Sequence, residues 1–506
     1  MSESATLVGW LEDRSDWLSP IVVKEVRQIV RGRDFNYSFT ATLVISLAIA
    51  FFAAGQALSG SGTTGSWTFV ALMGGLTLLG MVVVPLGAFS TLRNERMEQT
   101  LELITVTALS PRRIVIGKLL AQAVKLATLF AAMAPFIAMS FLLGGIDFIT
   151  ILISLAVLFM WSLWACAACL FLSTLLKSRA MSGLVFGAAG IVLFLVFVIG
   201  RSLFGFSYGI AVAGSGSGSG SWWMLGITTA ACVMTTINLI LLAENRLSVP
   251  TEDRVTPLRI GFLLQFLLIA GLTFAYFEIV PPTPADASDV LGLLGGLHLA
   301  IVAMFAATED LVVPRRVLLR MRRASAAGWL LAIFRPGGGR GAAYVLAQMV
   351  ILVAVTLALR PSASSVRWLL ALCGYICFFT GVPALVWRYR NPAAETALQL
   401  RIAVLMLLPI TMLLPDVFYY VLWRPDVFDL SYGRRHLLNP FRTLANWSLV
   451  ETSGWSIVPL VVGLTGLVAY CALIGLGRRT TAQEAVIDDE RPAVAEGEPG
   501  SANALY

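Results

Sequence analysis

Side chains able to bind a metal or attack a substrate are few in this chain, and most of them sit at helical spacing. Six cysteines are present, Cys166, Cys169, Cys232, Cys373, Cys377 and Cys471. Cys166 and Cys169 are three residues apart and Cys373 and Cys377 four apart, which puts each pair on one helix face. That spacing suits two ligands of a metal ion, and equally two small apolar core residues. The two histidines, His298 and His436, stand far from both pairs, and no acid accompanies either. Neither a metal site nor a disulfide framework is therefore expected. The run Gly337 to Gly341 (GGGRG) lacks the lysine and the strand–helix setting of a phosphate-binding loop, and no GxxxxGK[ST] occurs. Any ATP must be hydrolysed by another chain, and no cofactor or catalytic residue is assigned. Asp416 is the most notable acid in an apolar run, where charge is costly and often functional, although its place near the end of that run also suits an interfacial acid.

The charged residues that do form a pattern lie at 93–118, RNERMEQTLELITVTALSPRRIVIGK. Glu95, Glu98 and Glu102 recur at i, i+3 and i+7, beside Leu101, Ile104 and Leu109. A helix here would carry an acidic stripe next to an apolar one, able to lie on a membrane and face a partner. Pro111 disfavours helical geometry at Ser110 and suits the first turn of a new helix, which runs on through Gly117 and Lys118. Lys118 and Lys125 are seven residues apart on one face, and snorkelling to headgroups accounts for both. Pro135, deeper in the same run, is expected to kink it.

The elements that must position this elbow belong to a membrane. Hydrophobic residues make up 58% of the 506 and charged residues 13%, with a mean hydropathy of +0.83, far more apolar side chain than a soluble core requires. Runs of about 20 apolar residues, the length of a spanning helix, fall at 38–58, 67–90, 119–142, 149–175, 181–200 and 222–243. A second set falls at 259–280, 289–308, 342–359, 367–387, 402–423 and 456–477. The expected fold is thus all-α and polytopic, with about twelve spans in two sets of six. On this layout seven of the 36 lysines and arginines face one side (Arg201, Arg360, Arg367, Arg424, Arg434, Arg435, Arg442) and 29 the other. The positive-inside rule puts the basic side, with both termini, in the cytoplasm of a multi-pass protein of the cell inner membrane. The net charge of +7 needs no nucleic acid to explain it.

Residues 1–37 show no cleavable leader pattern and are read as cytoplasmic and interfacial. Within them Ile21, Val22, Val26, Ile29 and Val30 fall on one face of a helix, with Lys24, Arg27, Gln28 and Arg31 around the rest, an amphipathic element for the headgroup layer of anionic membrane lipids. Residues 38–245 form a six-span unit with the elbow at 93–110, and 246–479 a second membrane unit. The second unit has an outer loop at about 424–455, where Arg434, Arg435 and His436 offer polarity enough for a small structure. A Gly/Ser repeat at 214–221 reads as a connector, and 480–506 as a disordered cytoplasmic tail. The loop after the eighth run carries Arg315 to Arg323 and no copy of the elbow, so the second unit is divergent or accessory rather than a tandem repeat.

The elbow resembles a known pattern. Glu95-Arg96, Glu98, Thr100-Leu101-Glu102-Leu103 and Ser110-Pro111, with Ile114-Val115 and Gly117-Lys118, are similar to the segment between the second and third spans of permeases of ABC transporters of the type 2 exporter class. The stretch from Pro20 to Arg33, with Lys24, Glu25, Arg27 and Arg31, resembles the amphipathic connecting helix of that family. The resemblance implies a transmembrane permease, an exporter subunit, whose coupling helix docks in a groove of an ATP-binding subunit. It also implies a dimeric pore built from two copies or from this chain and a related permease. Two other classes stay open from the residues alone. One is a polytopic membrane enzyme of the glycan polymerase or ligase type, acting through the 424–455 loop, and the other is an ion-coupled carrier, for which Asp416 would be almost the sole buried acid.

Overall fold

The computed structural model describes residues 20–58, 64–97, 111–144, 146–175, 187, 190, 218–248, 253, 255–279, 284–309, 333–390, 400–401, 403–404, 406–407, 410–411 and 432–490. Every regular element among them is helical. Ten helices are long and apolar enough to cross a bilayer. Each overlaps one of the apolar runs above, and the runs at 181–200 and 402–423 lie mostly outside the described residues, as does Asp416. The protein is an all-α, membrane-embedded chain. It divides into two compact units, residues 1–249 and 250–506.

The first unit begins with α1 (Pro20–Arg31), which stops at Gly32 before α2 (Arg33–Leu58). Along α2, Val44, Ile45, Leu47, Phe51 and Phe52 are exposed, an outward apolar surface that only lipid or another apolar chain satisfies. Two of its hydroxyls turn back onto the helix, Thr42 donating to Ser38 O at 2.6 Å and Ser46 to Thr42 O at 2.7 Å, which pairs them without a partner outside the helix. The second span is continuous but not uniform. It runs as α3 (Thr64–Leu78), a π turn (Leu79–Val83) and α4 (Val84–Met97). It packs along the pair formed by α5 (Pro111–Leu142) and α6 (Phe148–Thr174), and two glycines set the spacing. A Cβ at Gly65 would sit 2.6 Å from Gly144 O, and one at Gly80, inside the π turn, 2.4 Å from Ser162 Oγ. Phe69, Leu72, Leu76, Phe89, Leu126, Leu129, Leu158, Cys166 and Cys169 fill the core between these helices. Gly144, at φ +69°, turns the chain between α5 and α6. Asp147 then caps α6, accepting from Thr150 N at 2.9 Å. These bonds from Thr150 hold its carboxyl below the usual range. Pro135 is contained within α5. The unit closes with α7 (Gly218–Leu247), packed on α6.

The second unit comprises α8 (Thr256–Ile279), α9 (Pro284–Ala306), α10 (Gly338–Ala358) and α11 (Ala363–Arg390), then the short α12 (Pro440–Ala445) and α13 (Trp447–Thr452), and finally α14 (Ile457–Glu490). Its most extensive seam joins α11 to α14. A Cβ on Gly374 would lie 2.7 Å from Gly463 Cα, and one on Gly466 would lie 2.4 Å from Phe378 N. Small residues let two backbones approach in a setting where no hydrophobic drive separates helix from lipid. Thr380 Oγ1 and Tyr470 OH, 2.8 Å apart, add a buried hydrogen bond to the seam. One expectation is revised here. α14 continues as helix to Glu490, where an unstructured tail from residue 480 is expected from composition. The segment Thr481 to Glu490 holds Ala482, Gln483, Glu484 and Ala485, which favour helix, and extending an existing helix avoids the cost of nucleation.

Packing this close makes a specific demand. Gly466→Ala should lower the midpoint of thermal unfolding in detergent by the equivalent of roughly 1–3 kcal/mol, because backbone atoms stand where the methyl would go. Gly475→Ala on the same helix, whose Cβ meets open space, should leave the midpoint unchanged or slightly raised. Equal midpoints for the two variants would show that the seam is not held by glycine contact.

Candidate functional site

The elbow enters and leaves the first unit at a buried charge cluster. Ile114, Lys118 and Gln122 follow one another on a single face of α5, and that face is buried. The Lys118 ammonium lies 2.9 Å from Glu25 Oε1 and 2.8 Å from Glu95 Oε1, with the three side chains only 3%, 7% and 18% exposed. Glu25 reaches it because α1 turns Val22 and Glu25, three residues apart, toward α5. Glu95 reaches it from the last turn of α4. One ammonium thus joins three chain segments: the N-terminal helix, the end of the second span and the start of the third.

This is not a snorkelling lysine. Its Nζ lies at the buried face, with two carboxylates replacing headgroup water, and a partner on each side is what makes a buried charge tenable. Glu25 carried a signal that amphipathic patterning alone does not use, since it is the one acid of α1 and sits among Val22, Val26 and Ile29 rather than on the basic side.

The remaining residues singled out in the sequence divide into two groups. Lys24, Arg27 and Arg31 are exposed on the side of α1 away from Lys118. Arg96 belongs to the last turn of α4, and Pro111 is the first residue of α5. Glu98, Thr100, Leu101, Glu102, Leu103 and Ser110 lie outside the described residues.

In the second unit, polar side chains brace the ends of the helices. Arg259 is buried in the first turn of α8. It donates to Ile333 O and Arg335 O, each at 2.7 Å, and pairs with Glu309. Burial raises the Glu309 carboxyl, opposed by the guanidiniums of Arg259, Arg401 and Arg388. Arg401 donates to the Thr308 hydroxyl at 2.9 Å and to Phe305 O at 3.2 Å, the latter a carbonyl in the last turn of α9.

The segment from Tyr432 to Trp455, with α12 and α13, is a folded cap. Leu437, Trp447 and Val450 pack on Ala371 of α11. Trp368 Nε1 donates to Leu444 O at 3.1 Å, and Glu451 accepts from Ser364 and Arg367. Those hydrogen bonds, that of Ser364 first, hold the Glu451 carboxyl below its ordinary range. His436 is fully buried in this cap. Gly433 N donates to its Nδ1 at 3.0 Å, its carbonyl accepts from Thr443 Oγ1 at 2.9 Å, and the Arg442 guanidinium lies 2.7 Å from its Nε2. A ring so enclosed organises the loop and offers no nitrogen to a substrate.

Comparison with protein-family profiles, curated proteins and solved structures finds no match, so function is read from the geometry.

The Lys118 cluster makes an ordered set of stabilities testable. Lys118→Met leaves two carboxylates facing each other in a buried site and should cost roughly 3–5 kcal/mol. Adding Glu25→Gln and Glu95→Gln removes the stranded charges and should recover most of the loss. Thermal unfolding in detergent reads the order, and a Lys118→Met protein as stable as wild type would mean that the cluster does not hold these helices.

Proposed function

We propose that this chain is the transmembrane permease subunit of an ATP-driven ABC transporter, an exporter, with hydrolysis carried out on a separate ATP-binding subunit. In this reading it has twelve spans, six in each unit, sits in the cell inner membrane with both termini in the cytoplasm, and forms its pore as a dimer with a second copy or a related permease. The observation that carries the reading is the shared Lys118 ammonium. A coupling segment can transmit force only if the helices at both its ends are tied to the transmembrane body rather than free to fray. Here the end of α4 and the start of α5, which bracket residues 98–110, are fixed to each other and to α1 through one buried cation. A push on the segment is then delivered to the second and third spans together.

Catalysis in the outer loop is disfavoured by the enclosed His436, the only histidine of that segment and the residue best suited to acid–base work there.

Glu98→Lys combined with Glu102→Lys distinguishes a coupling segment from an ordinary interfacial helix. Membrane abundance of this variant should be near normal. Co-purification of an ATPase, and stimulation of its activity, should be lost, because reversal places like charges together at the interface. Unchanged partner binding and unchanged transport would remove the coupling role and with it the case for a permease.

A further inference from the structure

We propose that the outward side of α1 is a binding site for the headgroup of an anionic phospholipid, with Lys24, Arg27 and Arg31 as its phosphate ligands. The helix sorts its charges by sign. Of its four charged residues the single acid, Glu25, is buried against Lys118, which leaves the opposite side with three cations and no carboxylate. Among the described residues none of the three has an ion-pair partner. Lys24, Arg27, Gln28 and Arg31 are spaced i, i+3, i+4 and i+7, which forms one strip about 10 Å long at 1.5 Å per residue. With Val23 they line an open cleft of about 410 Å³.

Placement favours lipid over a dissolved anion. The chain breaks at Gly32 and becomes the apolar α2 directly after the strip. The bond from Glu25 to the second turn of α5 pins α1 at the mouth of the spans, the depth at which headgroup phosphates lie. Val30, nearly half exposed beside the cations, adds the apolar contact that an acyl boundary supplies and bulk water does not. Guanidinium groups bind phosphate oxygens in pairs, and the amide of Gln28 can donate to a glycerol or ester oxygen between them. The bond to Lys118 uses none of these groups, so this inference does not rest on the transport reading.

The test uses the full-length protein in nanodiscs of phosphatidylcholine mixed with phosphatidylglycerol, scored by native mass spectrometry for the lipids retained. Wild type should retain phosphatidylglycerol in preference to phosphatidylcholine. Lys24→Gln, Arg27→Gln and Arg31→Gln together should lower that preference on the order of a hundredfold, given the attraction of each basic residue to an anionic surface. All three positions are exposed, so folding should survive, and an unchanged unfolding midpoint checks it. Arg112→Gln with Arg113→Gln, two exposed cations at the start of α5, should leave the preference intact. An equal loss there would replace the site with diffuse attraction and overturn the proposal. So would displacement of the lipid by inorganic phosphate, which would mark a free-anion site. Full retention by the triple variant, or retention together with loss of a bound acidic protein, would also overturn it, the latter assigning this face to a protein partner.

Discussion

A lysine cannot be buried alone in an apolar helix bundle, and the arrangement of the first unit follows from how Lys118 is satisfied. Its ammonium needs acceptors within about 3 Å, and α5 has no acid to offer. The acceptors therefore come from α1 and α4. Removing the lysine leaves two carboxylates facing each other in a buried site, so the three segments are held at this point as a set. Apolar packing alone does not give this specificity, since in a bilayer lipid chains compete equally for every apolar face.

Elsewhere, close approach does the work that charge does here. Gly65 and Gly80 let the second span rest on the α5–α6 pair, and the Gly374, Gly463 and Gly466 contacts seat α14 on α11. In the second unit Arg401 donates to a carbonyl in the last turn of α9, and Arg259 to two carbonyls of the segment that precedes α10. Each unit is thus built from small residues along the spans and polar bonds at their ends. This division follows from the dielectric: hydrogen-bonding groups are costly in hydrocarbon unless they are paired, and the ends of helices are where backbone groups lack pairs.

The helices were legible in the sequence because about 20 apolar residues in a row have few alternatives to a spanning helix. The start of α5 at Pro111 was also legible, from proline's fixed φ and missing N–H. The role of Lys118 was not. Snorkelling and internal pairing share the same signature, a lysine near the end of an apolar run, and only the position of Glu25 and Glu95 in space separates them. Burial of His436 escaped for a similar reason: a polar loop with arginines and a histidine looks like a site until Tyr432 is seen to stack on the ring and Gly433 and Arg442 to take its two nitrogens. The helix continuing to Glu490 was hidden by composition, because acidic residues and alanine serve a tail and a helix equally well.

The central claim is that one buried ammonium fixes the N-terminal helix to the elbow. Spin labels at Gln28→Cys on α1 and Asn94→Cys on α4, in full-length protein in lipid nanodiscs, report the distance between those segments by double electron–electron resonance. The account predicts a single narrow distribution with Lys118 in place, and a broader or displaced one in Lys118→Met. Indistinguishable distributions in the two proteins would contradict it.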